Sequence, residues 1–154
     1  MGHHGGVRPY SLPNLIATST ISVGLCIGCG RKGDPAPHTR TAPAACEVQW
    51  ITPRILEVRL PTRDVQGGRL VGLEKVRVYY LPLGAAKPSG DDVVARGRVV
   101  MERSRPDLPR PGGALQLDLK QIGRPAGWLS ATAVRVGEVV GAPSDPVAWL
   151  DPNI

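Results

Sequence analysis

Three cysteines carry the most reactive side chains of this 154-residue chain, and two of them are close in sequence. Cys26 and Cys29 form a Cys-x-x-Cys pair, the spacing found in many zinc sites. A tetrahedral zinc site needs four ligands. No second pair follows, because Cys46 is single and His38 stands alone. We therefore expect neither a metal site nor a cofactor.

A glycine pattern overlaps the same segment. Residues 28–33 read Gly-Cys-Gly-Arg-Lys-Gly and match the Gly-x-Gly-x-x-Gly pattern of dinucleotide-binding loops. That pattern binds phosphate only where a strand leads into the N-terminus of a helix. Here an apolar run precedes it, and Asp34-Pro35-Ala36-Pro37 follows. The context argues against dinucleotide binding.

The apolar run covers residues 15–27, thirteen residues without a charged side chain. As a helix it would span about 20 Å, which is short of the ~30 Å hydrocarbon core of a bilayer. Its length and composition are typical of the hydrophobic region of a signal peptide. Two alternatives stay open at this point: a membrane-spanning anchor, and a buried helix of a cytosolic domain.

The end of this run, residues 25–30, reads Leu-Cys-Ile-Gly-Cys-Gly and resembles the lipobox of bacterial lipoproteins. The resemblance implies cleavage between Gly28 and Cys29 and a diacylglycerol thioether on the Cys29 thiol. A further acyl chain such as palmitate would follow on the new amino group. Cys26 stands where the family usually has Leu. Two or more acyl chains hold a protein firmly on a bilayer.

The lipoprotein resemblance also implies a location. Residues 28–35 resemble the mature start of many small proteobacterial lipoproteins. An Asp after the acylated cysteine favours retention in the inner membrane, whereas this chain has Gly30 there. We therefore expect an outer-membrane protein that faces the periplasm. Cys46 would then be an unpaired thiol in an oxidising compartment, either buried or occasionally forming a dimer.

Three regions follow from these patterns: a signal peptide over residues 1–28, a lipidated tether over 29–45, and a folded domain over 46–154. The tether contains Pro35, Pro37 and Pro43 and no large apolar side chain. Such a segment does not build a core, so we expect a flexible linker of at most about 50 Å.

The sequence of the folded part, residues 46–154, predicts an all-β fold. Apolar and polar side chains alternate with the two-residue period of half-buried strands, and turn-forming Gly and Pro separate the alternating runs. With 19 Gly and 16 Pro, the chain holds about twice the usual content of these residues. Seven short strands predict a β-sandwich, with no long helix. The clearest strand segments are residues 55–60, 76–80, 98–101, 115–119 and 128–134.

Two pairs of these segments resemble a known family. Residues 56–80 are similar to strands B and C of bacterial fibronectin type III domains, and residues 131–147 are similar to strands F and G. The resemblance implies a fibronectin type III or immunoglobulin-like β-sandwich. This chain has Val58 and Val76 where the family has Trp and Tyr, so its core is aliphatic.

The folded part offers little for catalysis, since it contains no His and its one Cys lies at its edge. Asp91 and Asp92 are adjacent and are predicted to lie in a solvated turn. Tyr79 and Tyr80 point to opposite faces, so one of them could reach a binding surface. Trp149 is predicted to pack in the last strand. Basic residues crowd one stretch of sequence: Arg96, Arg98, Arg103, Arg105 and Arg110.

The net charge of +6 and the export signal together narrow the function. An exported protein does not meet nucleic acid, so the basic residues point to an acidic envelope partner. Candidates are a protein, lipopolysaccharide or an anionic lipid, and a solvated basic edge is the alternative. We expect a non-catalytic binding or scaffolding module. Two other functions stay open: an assembly factor that acts through its lipidated tether, and a remnant of a carbohydrate-handling enzyme.

Overall fold

The structure, a computed structural model, describes residues 41–84, 86–123 and 125–150. In those ranges the chain forms two antiparallel sheets with one short α-helix and one turn of 3-10 helix (Leu119–Gln121). The strands are β1 (Glu47–Thr52), β2 (Ile55–Arg59), β3 (Leu73–Pro82), β4 (Arg98–Ser104), β5 (Ala114–Asp118), β6 (Gly127–Arg135), β7 (Val139–Val140) and β8 (Val147–Trp149); α1 (Gly90–Arg96) lies between β3 and β4. The predicted all-β sandwich is confirmed at this level.

The smaller sheet has the order β1-β2-β5, and the larger has the order β4-β3-β6-β7, with β8 also paired to β6. Each of the five clearest predicted segments lies on one of these strands. The described residues contain eight strands rather than the seven predicted, because β7 and β8 form two separate pairings along β6. Pro143 and Pro146 lie between them, and proline has no N–H to donate to a ladder.

The core lies between the sheets and is mostly aliphatic. Leu56 and Val58 of β2 alternate with polar neighbours, as the sequence predicts, and both are buried. They belong to one cluster with Val76, Val78 and Tyr80 from β3 of the larger sheet. Side chains from both sheets therefore meet face to face, which is how a β-sandwich buries its apolar surface.

An aromatic pair closes the sandwich near β8. Trp149 is buried, which confirms its predicted packing in the last strand. Its ring lies 5.5 Å from that of Trp50 in β1, measured between centroids, and the two planes are tilted by 32°. Tilted aromatic pairs at this separation are favourable beyond the area they bury.

The helix α1 replaces a predicted turn. Asp91 and Asp92 lie in its first turn rather than in an irregular loop. The Ser89 side chain accepts a hydrogen bond from the backbone N–H of Asp92, and the Asp92 carboxylate accepts one from the N–H of Ser89. This reciprocal capping box starts a helix by satisfying two N–H groups that have no helical partner. The prediction of a turn here was wrong.

Residues 41–45, which were assigned to the tether, are packed against the sandwich. Pro43 is buried and forms an isolated bridge with Asp64. Its carbonyl accepts a hydrogen bond from the N–H of Ala142, and the N–H of Ala44 donates to the carbonyl of Arg63. A segment without large side chains is thus held by backbone hydrogen bonds, so the folded part includes residues before 46.

Candidate anion-binding cleft

The basic stretch predicted as one surface is divided between the two ends of the sandwich. The strand β4 runs from one end to the other, with Arg98 opposite Tyr80 and Arg103 opposite Val76. Arg96, at the end of α1, lies with Arg98 at one end of that strand. Residues 105 and 110 follow the strand at its other end. The five arginines are all exposed, but the structure does not bring them together.

Arg105 and Arg110 do share a site, and a third arginine completes it. A cleft of about 560 Å³ contains both side chains together with Arg69, which the sequence analysis did not single out. The remaining residues that form its walls are Thr62, Leu70, Val71, Gly72 and Pro111. The cleft therefore presents three guanidinium groups and no carboxylate.

Backbone hydrogen bonds fix the three segments that carry these arginines. The N–H of Leu70, next to Arg69, donates to the carbonyl of Thr62. The N–H of Arg105 donates to the carbonyl of Glu74, and the carbonyl of Arg110 accepts from Gly113. All three are loop residues held close to strand ends. A rigid sheet that presents loop side chains is a common design of binding sites.

Nearby cations outside the cleft have carboxylate partners. The Lys75 ammonium donates to Glu138, and the Arg77 guanidinium bonds both Glu138 at 2.9 Å and Glu102 at 2.7 Å. The hydrogen bond to Glu138 raises the pKa of Lys75, and the one to Glu102 raises the pKa of Arg77. The same contacts, first that from Lys75, lower the pKa of Glu138.

The arginines of the cleft differ from these paired cations. Across the described ranges, the ion pairs involve Arg59, Lys75 and Arg77, and none involves an arginine of the cleft. Unneutralised guanidinium groups favour planar anions such as carboxylate and phosphate, which they bind with two parallel hydrogen bonds. The cleft is therefore suited to an anionic group.

Tyr79 does not contribute to an exposed surface, and its assignment as a binding residue was wrong. Its side chain is only 9% exposed. It lies outside the main core cluster, as does the buried Val93 of α1. The helix packs against β3 and β6, the strands at the centre of the larger sheet. No helix was predicted over residues 90–96, so the burial of Tyr79 was not expected.

A second cleft, of about 280 Å³, lies at the opposite end of the sandwich and contains Arg96. The Lys87 ammonium is 6.0 Å from the centroid of the Trp128 ring, within the range of a cation–π contact. Asp92 also contributes to this cleft. A hydrogen bond from the Ser89 hydroxyl lowers the pKa of Asp92, which keeps its carboxylate charged. Since both signs of charge are present, this cleft does not select an anion.

The described residues give no arrangement of three or more His, Cys, Asp or Glu side chains that could hold a metal ion. Cys46 is buried, which was one of the two alternatives predicted for this thiol, the other being occasional dimer formation. Burial raises the pKa of the thiol to about 12. A thiol with so high a pKa is a poor nucleophile at neutral pH, because the reactive species is the thiolate.

The predicted cleavage and lipidation residues, Gly28 and Cys29, lie outside the described residues, as does the apolar run 15–27. In the part of the chain that the structure does describe, no helix has the length and apolar character to cross a bilayer.

The chain was compared with known proteins. No protein-family model matches the chain. A search of curated proteins also finds no match.

Proposed function

We propose that this chain is a lipid-anchored protein of the bacterial cell envelope whose folded domain is a non-catalytic binding or scaffolding module. The anchor is an acylated Cys29, and the domain faces the periplasm from the outer membrane. The lipobox resemblance of residues 25–30 supports the anchor. The sheet order β1-β2-β5 and β4-β3-β6-β7 supports a fibronectin type III-like domain, since it is an antiparallel two-sheet sandwich.

The observation that carries the binding role is the cleft with Arg69, Arg105 and Arg110. It gathers three cations from two loops without a carboxylate among its walls. In contrast, Lys75 and Arg77 outside the cleft are paired with Glu138 and Glu102. An envelope offers three anionic partners that fit: lipopolysaccharide, an anionic lipid or an acidic protein surface.

Metabolic labelling with palmitate tests the anchor. The wild-type protein is expected to incorporate label and to partition with membranes, whereas Cys29→Ala is expected to lose the label. Cys46→Ala is the matched control, because it removes one thiol and lies outside residues 25–30, which carry the lipobox resemblance. Labelling of Cys29→Ala at the wild-type level would overturn the anchor.

Truncation tests whether the domain or the tether is the working part. Because residues 41–45 are packed against the sandwich, the cut belongs after Arg40. Crosslinking of the intact protein in envelopes is expected to capture partners that the truncated chain does not. The same partners captured by residues 1–40 alone would favour the alternative, an assembly factor that acts through its lipidated tether.

A further inference from the structure

Several loops lie at the end of the sandwich where the described chain begins. We call this the N-terminal end of the sandwich and define it by residues 41–47, 59–73, 104–113 and 135–139. Strand pairing places them together: Glu47 is opposite Arg59, and Leu73 is opposite Arg135. The Arg135 guanidinium also donates to the carbonyl of Thr41 at 3.0 Å. The segment that would lead to a lipid anchor therefore enters the domain at this end.

The cleft with Arg69, Arg105 and Arg110 lies at the same end. Residue 69 belongs to the loop before β3, and residues 105 and 110 belong to the loop after β4. Two carboxylates occur in the same two loops, Asp64 and Asp107, but neither forms a wall of the cleft. The cationic surface thus lies at the same end of the domain as residue 41.

Two valines at the N-terminal end of the sandwich are exposed. Val65 is 55% exposed and Val71 is 53% exposed. Val71 forms part of the cleft, and the N–H of Val65 donates to the carbonyl of Ala42. Apolar side chains interspersed with cations suit a membrane surface, where the cations contact headgroup phosphates and the apolar groups enter the interface.

We propose that the N-terminal end of the sandwich docks on an anionic phospholipid surface, with Arg69, Arg105 and Arg110 against the headgroup phosphates. This proposal deepens the proposed function and rests on it, since it names the ligand of the same cleft. The position of residue 41 favours a lipid surface over a soluble acidic protein, because about a dozen residues from Cys29 keep this end of the domain within about 40 Å of the membrane.

Vesicle partitioning of the full-length Cys29→Ala chain tests the docking independently of acylation. Vesicles of pure phosphatidylcholine measure the baseline, which includes any contribution of residues 15–27. Vesicles in which roughly 30% of the lipid is phosphatidylglycerol are expected to bind more protein than this baseline. Each arginine near such a surface contributes about a fivefold gain in partitioning, so a variant lacking all three is expected to lose about 100-fold at low salt.

The test variant carries Arg69→Gln, Arg105→Gln and Arg110→Gln. A matched control carries Arg54→Gln, Lys87→Gln and Lys120→Gln, which remove the same charge from connections between the elements at the opposite end of the strands. The control is expected to keep the gain on anionic vesicles. Circular dichroism and urea unfolding of both variants establish that each is folded.

Three results would overturn the docking. The first is equal binding to neutral and anionic vesicles, which would leave an acidic protein as the partner. The second is an equal loss in both variants, which would show a general charge effect. The third is a full gain on anionic vesicles in the variant that lacks the three arginines, which would place the contact outside the cleft. All of these vesicle measurements use the Cys29→Ala chain, so they do not depend on acylation. Failure of the proposed anchor is therefore distinguishable from failure of the proposed docking.

Discussion

The indole N–H of Trp50 donates a hydrogen bond to the backbone carbonyl of Ala148, with the two heavy atoms 3.0 Å apart. Trp50 belongs to β1, an edge strand of the smaller sheet, and Ala148 belongs to β8, which pairs with β6 in the larger sheet. The bond therefore connects the two sheets directly. It also fixes the ring of Trp50 against that of Trp149.

Replacement of Trp50 separates the hydrogen bond from the ring packing. Trp50→Phe keeps an aromatic ring and is expected to lower the free energy of unfolding by about 1 kcal/mol, the usual net value of one hydrogen bond. Trp50→Ala also removes the ring and is expected to cost about 3 kcal/mol. Urea unfolding of the full-length protein, followed by circular dichroism, measures both.

The neighbouring Ile51 gives the control for this pair. Its side chain is 48% exposed, so Ile51→Ala is expected to change the free energy of unfolding by less than about 0.5 kcal/mol. A Trp50→Phe variant as stable as the wild type would show that the bond to Ala148 contributes nothing.

A second prediction concerns the start of α1. The Ser89 hydroxyl accepts a hydrogen bond from the N–H of Asp92 at 3.1 Å. Ser89→Ala removes that acceptor and is expected to cost about 1 kcal/mol of folding free energy, while Ser89→Asn keeps a capping oxygen and is expected to cost less. Ser104→Ala, at the exposed end of β4, is the control. Equal stabilities of the Ala and Asn variants at residue 89 would contradict the cap.

Sequence periodicity predicted the strands because the alternation of apolar and polar side chains is a property of neighbouring residues. Leu56 and Val58 alternate with charged side chains, and that alternation alone assigns their face. The helix α1 was missed for a different reason. It has seven residues, fewer than the length at which a helical period can be recognised, although its start signal from Ser89 to Asp92 is visible in the sequence.

The candidate site was only partly predictable. Arg105 and Arg110 were found because they are close in sequence, but Arg69 reaches the same cleft through the folding of a different loop. Tyr79 was misassigned because its exposure depends on what covers its face of the sheet. Periodicity reports which side chains share a face, and it carries no information about a helix that later packs there.

A third prediction is a pH dependence that arises from Glu138. Hydrogen bonds from Lys75 and Arg77 lower the pKa of this carboxyl below its ordinary value of 4.5. The folded state therefore binds fewer protons than the unfolded state in that range, so the contribution is complete above pH 4.5 and is lost as the pH falls through the lowered value. Glu138→Gln is expected to be less stable than the wild type at pH 7.

Unfolding measured across the acid range checks the sign of this effect. The difference between the wild type and Glu138→Gln is expected to shrink as the pH falls below 4.5. High salt is expected to reduce the same difference at pH 7, since Glu138 is exposed and its ion pairs are screened. A difference that grows on acidification would contradict the assignment.

A fourth prediction concerns the reactivity of Cys46. Burial raises the pKa of its thiol to about 12, so only about one molecule in ten thousand carries the thiolate at pH 8. In a full-length chain with Cys26→Ser and Cys29→Ser, modification by an aromatic disulfide is expected to be slow and to follow the rate at which the domain opens. The matched control adds Cys46→Ser and Ser104→Cys, which presents one exposed thiol and is expected to react fast.

Dimer formation through Cys46 is expected to obey the same limit. Since a buried thiol must become exposed before it meets a second chain, the disulfide-linked fraction on non-reducing gels should rise with urea and parallel the unfolded fraction. Destabilising the sandwich by Trp50→Ala should raise it as well. Dimers that form in the absence of urea as fast as those of the Ser104→Cys control would show that Cys46 is accessible in the folded protein.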